Sequence, residues 1–149
     1  MFRSIFSSFN SFVQRLRGAG PDVALMRFDR HAAQLQKSFF ELAANSGKPR
    51  GLRWVRCDWQ EQRAIFTEPG SGLLTLVVGV SVAFEAIEGS DMENVAAAGD
   101  LRDASAVFHY QNGAWGTGGR VLFNMDPVTA AQRLGGNPLS NVTPPPRRS

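Results

Sequence analysis

The 149-residue chain has one cysteine, Cys57, and two histidines, His31 and His109. A lone thiol closes no disulfide within the chain, and without histidines beside it builds no structural zinc site, so stability must come from packing. Neither histidine has a second histidine or a carboxylate at a recognised metal spacing, so His31 reads as a helix-surface residue and His109 as a sheet-face residue. Cys57 follows Arg56, which on a strand points to the opposite face, so the thiol is expected to be buried rather than activated. No G-x-S-x-G turn frames a serine, and the run Gly113-Ala114-Trp115-Gly116-Thr117-Gly118-Gly119 lacks the Lys-Ser/Thr pair and following helix of a phosphate loop. Glu85, Glu88, Asp91, Glu93, Asp100 and Asp103 lack calcium-loop spacing and read as a solvated edge. No catalytic set, metal set or cofactor motif is therefore assigned.

Acidic residues are absent from positions 1–20. There Phe2, Ile5, Phe6, Phe9, Phe12, Val13 and Leu16 recur at steps of three and four, with Arg3, Arg15, Arg17 and several serines between them. This is an amphipathic helix with an apolar stripe and a small cationic face. Serines interrupt the apolar positions, so no secretory signal is expected, and a cytoplasmic, membrane-peripheral placement follows. In a eukaryotic source the same composition would fit an organellar transit peptide. Phe2, Arg3, Ile5, Phe6, Phe9, Phe12, Val13, Arg15, Leu16 and Arg17 are thus the candidate surface for a membrane or a protein partner. The competing reading packs the stripe on its own domain or on a twin chain as a homodimer.

Long hydrophobic runs are also lacking. The strongest, Leu73–Ala86, is too short and too β-branched to cross a bilayer as a helix. Dense basic runs are missing too: of 16 cations 14 are arginine, the net charge is only +3, and residues 69–104 carry −5. The set Arg53, Trp54, Arg56, Trp59, Arg63 and Phe66 has the look of a single-stranded nucleic-acid platform, but Asp58 and Glu61 interleave with it, so no nucleic acid is expected as partner.

What is present, 43% hydrophobic and 19% charged residues, fits one compact domain over 21–135 between the 1–20 helix and a disordered Pro/Arg tail at 136–149. Leu25, Phe28, Ala32, Leu35, Phe39 and Leu42 predict a helix over 22–45, whose other face, Arg27, Arg30, Gln34, Lys37 and Glu41, should be wet. Period-two patterns predict short strands over 52–59 and 63–68 joined by a turn at Gln60-Glu61, and a long strand over 73–86. In that strand Leu76, Val78, Val80, Val82 and Phe84 should face Leu35, Phe39 and Leu42, with a bend at Gly79. Ser90-x-x-Glu93 suggests a short helix over 92–98, Asn112-Gly113 a hairpin between 104–110 and 115–124, and Asp126-Pro127 a final helix to Leu134. The fold class is α+β: a five-stranded antiparallel sheet packed on a long N-terminal helix in two layers, with the additional amphipathic helix.

At Phe84-Glu85-Ala86-Ile87-Glu88-Gly89, Leu101-Arg102, Ala106-Val107-Phe108 and Gly119-Arg120-Val121-Leu122-Phe123-Asn124, the chain resembles a group of uncharacterised bacterial proteins of planctomycete type, over roughly 50–134. The resemblance implies no catalytic residue. Cone-shaped binding folds and small secretion chaperones share the layout, although such chaperones are usually acidic. The expected function is a non-enzymatic binding or accessory module. The alternative is a small-ligand-binding or enzymatic cup with a pocket between helix and sheet that holds Asp58, His109 and Tyr110.

Overall fold

The computed structural model describes residues 20–90, 101–136 and 140–141. The stripe at 1–19 and the helix expected over 92–98 lie outside the described residues.

Two helices stand where one was expected: α1 Pro21–Arg30 and α2 Ala32–Ala44. Pro21 fits the first turn, where its missing N–H costs nothing, and Asp22 meets the positive end of the helix. At His31 the backbone leaves the helical region (φ −110°, ψ 16°), although its N–H still reaches back to the carbonyls of Arg27 and Phe28. A straight rod of that length would leave a twisted sheet at its ends, and the break keeps both halves seated. Ala24, Leu25 and Phe28 of α1 and Leu35, Phe39 and Ala43 of α2 are buried. Leu42, expected in the core, is instead 47% exposed. Ala43 takes its place because 35, 39 and 43 form one row of i+4 steps.

The sheet is antiparallel. Strands β1 Leu52–Thr67, β2 Leu74–Ala86, β3 Arg102–Gln111, β4 Ala114–Gly116 and β6 Ser140–Asn141 follow the order β4-β3-β2-β1-β6, and β5 Val121–Phe123 shares the outer edge of β3 with β4. β1 is continuous through the turn expected at Gln60-Glu61. Trp59 pairs with Val80 and Arg63 with Val78, so the chain there forms a bulge opposite Gly79. Gln60 folds over Gly79, where a Cβ would stand 2.5 Å from its Oε1. The irregularity thus falls at the expected level of the sheet but belongs to the neighbouring strand. A second bulge between Trp54 and Arg56 reverses the alternation, and Cys57 rather than Arg56 points to the helices.

Between helices and sheet the core is built from rings. Phe39 meets Trp59 at 5.4 Å, Phe108 at 5.9 Å and Trp54 at 6.1 Å between centroids, and Phe28 meets Phe108 edge-on at 5.0 Å. Leu76, Val78, Val80, Val82 and Phe84 are all buried on this face, as their alternation demands.

The two-layer expectation fails at one end. Helix α3, Pro127–Arg133, lies on the opposite face, where Ala130 and Ala131 pack with Ala64, Phe66, Val77 and Val107. Its start is fixed by the Asp126 carboxylate, which accepts from the Thr129 N–H at 2.7 Å. The chain also stays on the domain beyond 135: Gly136 is buried against Phe66, and β6 pairs with Ala64 and Ile65.

Candidate functional site

The hairpin between β3 and β4 turns on Asn112 (φ 56°) and Gly113 (φ 79°), the left-handed pair that a two-residue Asn-Gly turn requires. Its far strand presents Trp115, whose indole N–H donates to the Ala24 carbonyl at 2.7 Å. The ring lies 5.7 Å from Phe28 and 5.0 Å from Tyr110 between centroids, so hairpin and α1 are clamped together. From α1, Arg27 crosses the junction: its Nη1 donates to the Tyr110 hydroxyl at 2.7 Å and to the Gly113 carbonyl at 3.1 Å.

Past this clamp the helices and the hairpin diverge and leave a cleft of about 680 Å³. Arg27 of α1, His31 at the break, and Gln34 and Ser38 of α2 line it, with Arg30, Leu35 and Leu42 beside them and residues 113–117 opposite. Among the described residues no carboxylate lines it. Both guanidinium groups carry permanent charge, and each has planar N–H donors suited to an oxyanion. The arrangement can hold a negative group against Trp115; it offers no thiol.

The sequence-chosen pocket residues do not meet. Tyr110 is buried on the helix face, bonded to Arg27. His109, its neighbour, points to the opposite face, with Nε2 3.3 Å from Glu68 Oε2. Asp58 is exposed and accepts from Arg56 Nε at 3.0 Å. Asp58 pairs with Ser81 and His109 with Thr75, about 20 Å apart along β2 at a strand rise of ~3.3 Å per residue. The space between helix and sheet, where such a pocket was expected, is filled by the rings of Phe28, Phe39, Trp59 and Phe108.

Cys57 sits between α2 and β1, beside Trp59 and Phe40. Burial, with a smaller contribution from the Asp58 carboxylate, pushes its thiol up to about 12, so it stays protonated at neutral pH and is a poor nucleophile. Among the described residues no group of three or more His, Cys, Asp or Glu is placed to hold a metal, and no helix is long and apolar enough to cross a membrane. The membrane or partner residues Phe2, Arg3, Ile5, Phe6, Phe9, Phe12, Val13, Arg15, Leu16 and Arg17 lie outside the described residues.

The sequence places Arg27, Arg30 and Gln34 on a wet helix face, and the structure turns that face toward the hairpin as one wall of the cleft. A usable signal was present: the set Arg27, His31, Gln34 and Ser38 without an acid among them. What could not be read was the hairpin that closes over it.

The chain matches no protein-family model, no curated protein and no solved structure. These comparisons therefore do not bear on the planctomycete-type resemblance.

Proposed function

We propose that the chain is a non-enzymatic binding module that works over its outer surface and is held at an anionic membrane surface by its first 20 residues. The observation that carries this reading is the ring-filled core: Phe39 meets Trp54, Trp59 and Phe108 in the space between helices and sheet, so recognition is assigned to the surface. The attachment element is the acid-free stripe of four phenylalanines with Arg3, Arg15 and Arg17. Three arginines near an anionic surface contribute about 3 kcal/mol, and partial insertion of the phenyl rings adds to this, which makes attachment reversible and salt-sensitive. Val23 and Met26 on α1 are exposed apolar residues as well.

Vesicle flotation tests the reading. The full chain should float with phosphatidylserine-containing vesicles at low salt and be released at high salt, while a chain lacking residues 1–19 should stay at the bottom. Equal, poor flotation of both removes the membrane role and leaves the stripe to a protein partner, a twin chain or its own domain. Sedimentation of the two forms then separates the twin chain from the rest.

A further inference from the structure

We infer that the cleft between the helices and the β3–β4 hairpin binds a small organic phosphate, its phosphate on Arg27 and Arg30 and its flat or apolar body on Trp115. This deepens the binding-module reading and rests on it.

Charge comes first. Two permanent cations line the cleft, and among the described residues no carboxylate lines it with them. A phosphate monoester, with close to two negative charges and three acceptor oxygens, satisfies both guanidiniums at once, whereas a carboxylate brings a single charge. Arg27 is also held in place before any ligand arrives. Its Nη1 is fixed by Tyr110 and Gly113, and Nε and Nη2 carry three further N–H groups for an anion. His31, Gln34 and Ser38 supply additional polar groups around the same space.

Size decides that the ligand is organic. A cleft of about 680 Å³ lies within the range of small-molecule sites, and a bare phosphate would leave most of it to water. The apolar lining includes Trp115, Leu35 and Leu42, and Leu42, 47% exposed, offers the most accessible aliphatic surface among its leucines. Trp115 is locked by its bond to Ala24, so a ring or short apolar chain meets a rigid surface.

The test uses the full chain, phenyl phosphate as probe, and the indole N–H signal of Trp115, assigned with Trp115→Phe. Phenyl phosphate should shift that signal saturably. Inorganic phosphate and benzyl alcohol, each carrying half of the recognition, should bind at least about tenfold more weakly. Arg30→Gln, an exposed position that leaves the clamp intact, should weaken phenyl phosphate by about tenfold. Arg53→Gln, an exposed arginine elsewhere on the sheet, should leave it unchanged. No saturable shift, or equal losses in the two variants, overturns the assignment. Vesicles doped with phosphatidic acid separate the sources of the phosphate: binding that needs Arg30 on vesicles while phenyl phosphate has no effect would assign the cleft to a lipid headgroup and overturn the small-ligand claim. Failure here with flotation intact removes the ligand and keeps the binding module. Loss of flotation on deleting 1–19 with phenyl phosphate still bound does the converse.

Discussion

The two faces of the sheet are made by the same strands and held in different ways. On the helix face, Val80, Val82 and Phe84 of β2 are buried in one cluster with the rings of Phe28, Phe39, Trp54 and Phe108. On the other face, Val77 is sealed by the small side chains Ala130 and Ala131, while Ser81, four residues along, belongs to a polar set in which Gln60 donates to Ser81 Oγ and both Gln60 and Ser81 donate to Asp103. Alternation assigns a residue to a face. Whether that face is covered depends on elements elsewhere in the chain, here a seven-residue helix that contributes mainly alanines.

Carboxylates placed on β2 test this contrast and give the largest expected effect. Val80→Asp and Val77→Asp should each cost about 3–5 kcal/mol in chemical denaturation, as uncompensated buried charges do. Ser81→Asp should cost about 1 kcal/mol, mainly from repulsion by Asp103 across the strand pair. A small loss at Val77 would mean that α3 does not seal its end of the sheet. Gly119→Ala probes the margin of the helix face. Its φ of +80° disfavours any side chain, and a Cβ would stand 2.7 Å from Leu42 Cβ and 2.8 Å from the Ala43 nitrogen, so a loss of about 2–3 kcal/mol is expected. Full stability in that variant would show the helix free to move away from the hairpin.

Arg63 is the polar exception on the helix face. Only 8% exposed, it donates two bonds to Asp29 of α1, at 2.6 and 3.1 Å, while its buried Nε has no acceptor. Arg63→Ala should cost about 2 kcal/mol, and Arg63→Met should recover most of it, because the Asp29 side chain is 56% exposed and can return to water. If Met is no better than Ala, the ion pair rather than the stem holds α1 down. The smallest effect belongs to the cap of α3: Asp126→Ala should cost about 1 kcal/mol. The backbone N–H and the side chain of Thr129 hold the Asp126 carboxyl below its ordinary value. The cap's contribution is therefore complete above the ordinary carboxylate range and fades as pH falls through the lowered value. Denaturation midpoints of wild type and Asp126→Ala should converge at acid pH; a constant gap would remove the charge from the cap.

Long periodic segments and punctuation were legible in the sequence. Five successive core positions from Leu76 to Phe84, the Asn112-Gly113 turn and the Asp126-Pro127 helix start each rest on local chemistry and stand in the fold as expected. The break at His31 was not legible, because no glycine or proline marks it. The continuity of β1 was hidden for a different reason. Bulges at Val55 and between Trp59 and Arg63 erase the period of two, so one strand of 16 residues reads as two strands and a turn. The cleft needs Arg27 and Gly113, 86 positions apart, to meet, and no local pattern reports that meeting.

The irregularity of β1 has a further effect. Among the described residues only Ala64 and Ile65 pair on its outer side, so most of a long strand offers bare backbone N–H and C=O groups to any chain it meets. A flat edge of that length would invite end-on growth into larger aggregates. Here two bulges bend the edge, and Arg53, Arg56, Asp58 and Glu61 place exposed charges of both signs along it. The features that disguise β1 as two strands thus also make its edge a poor template for another strand.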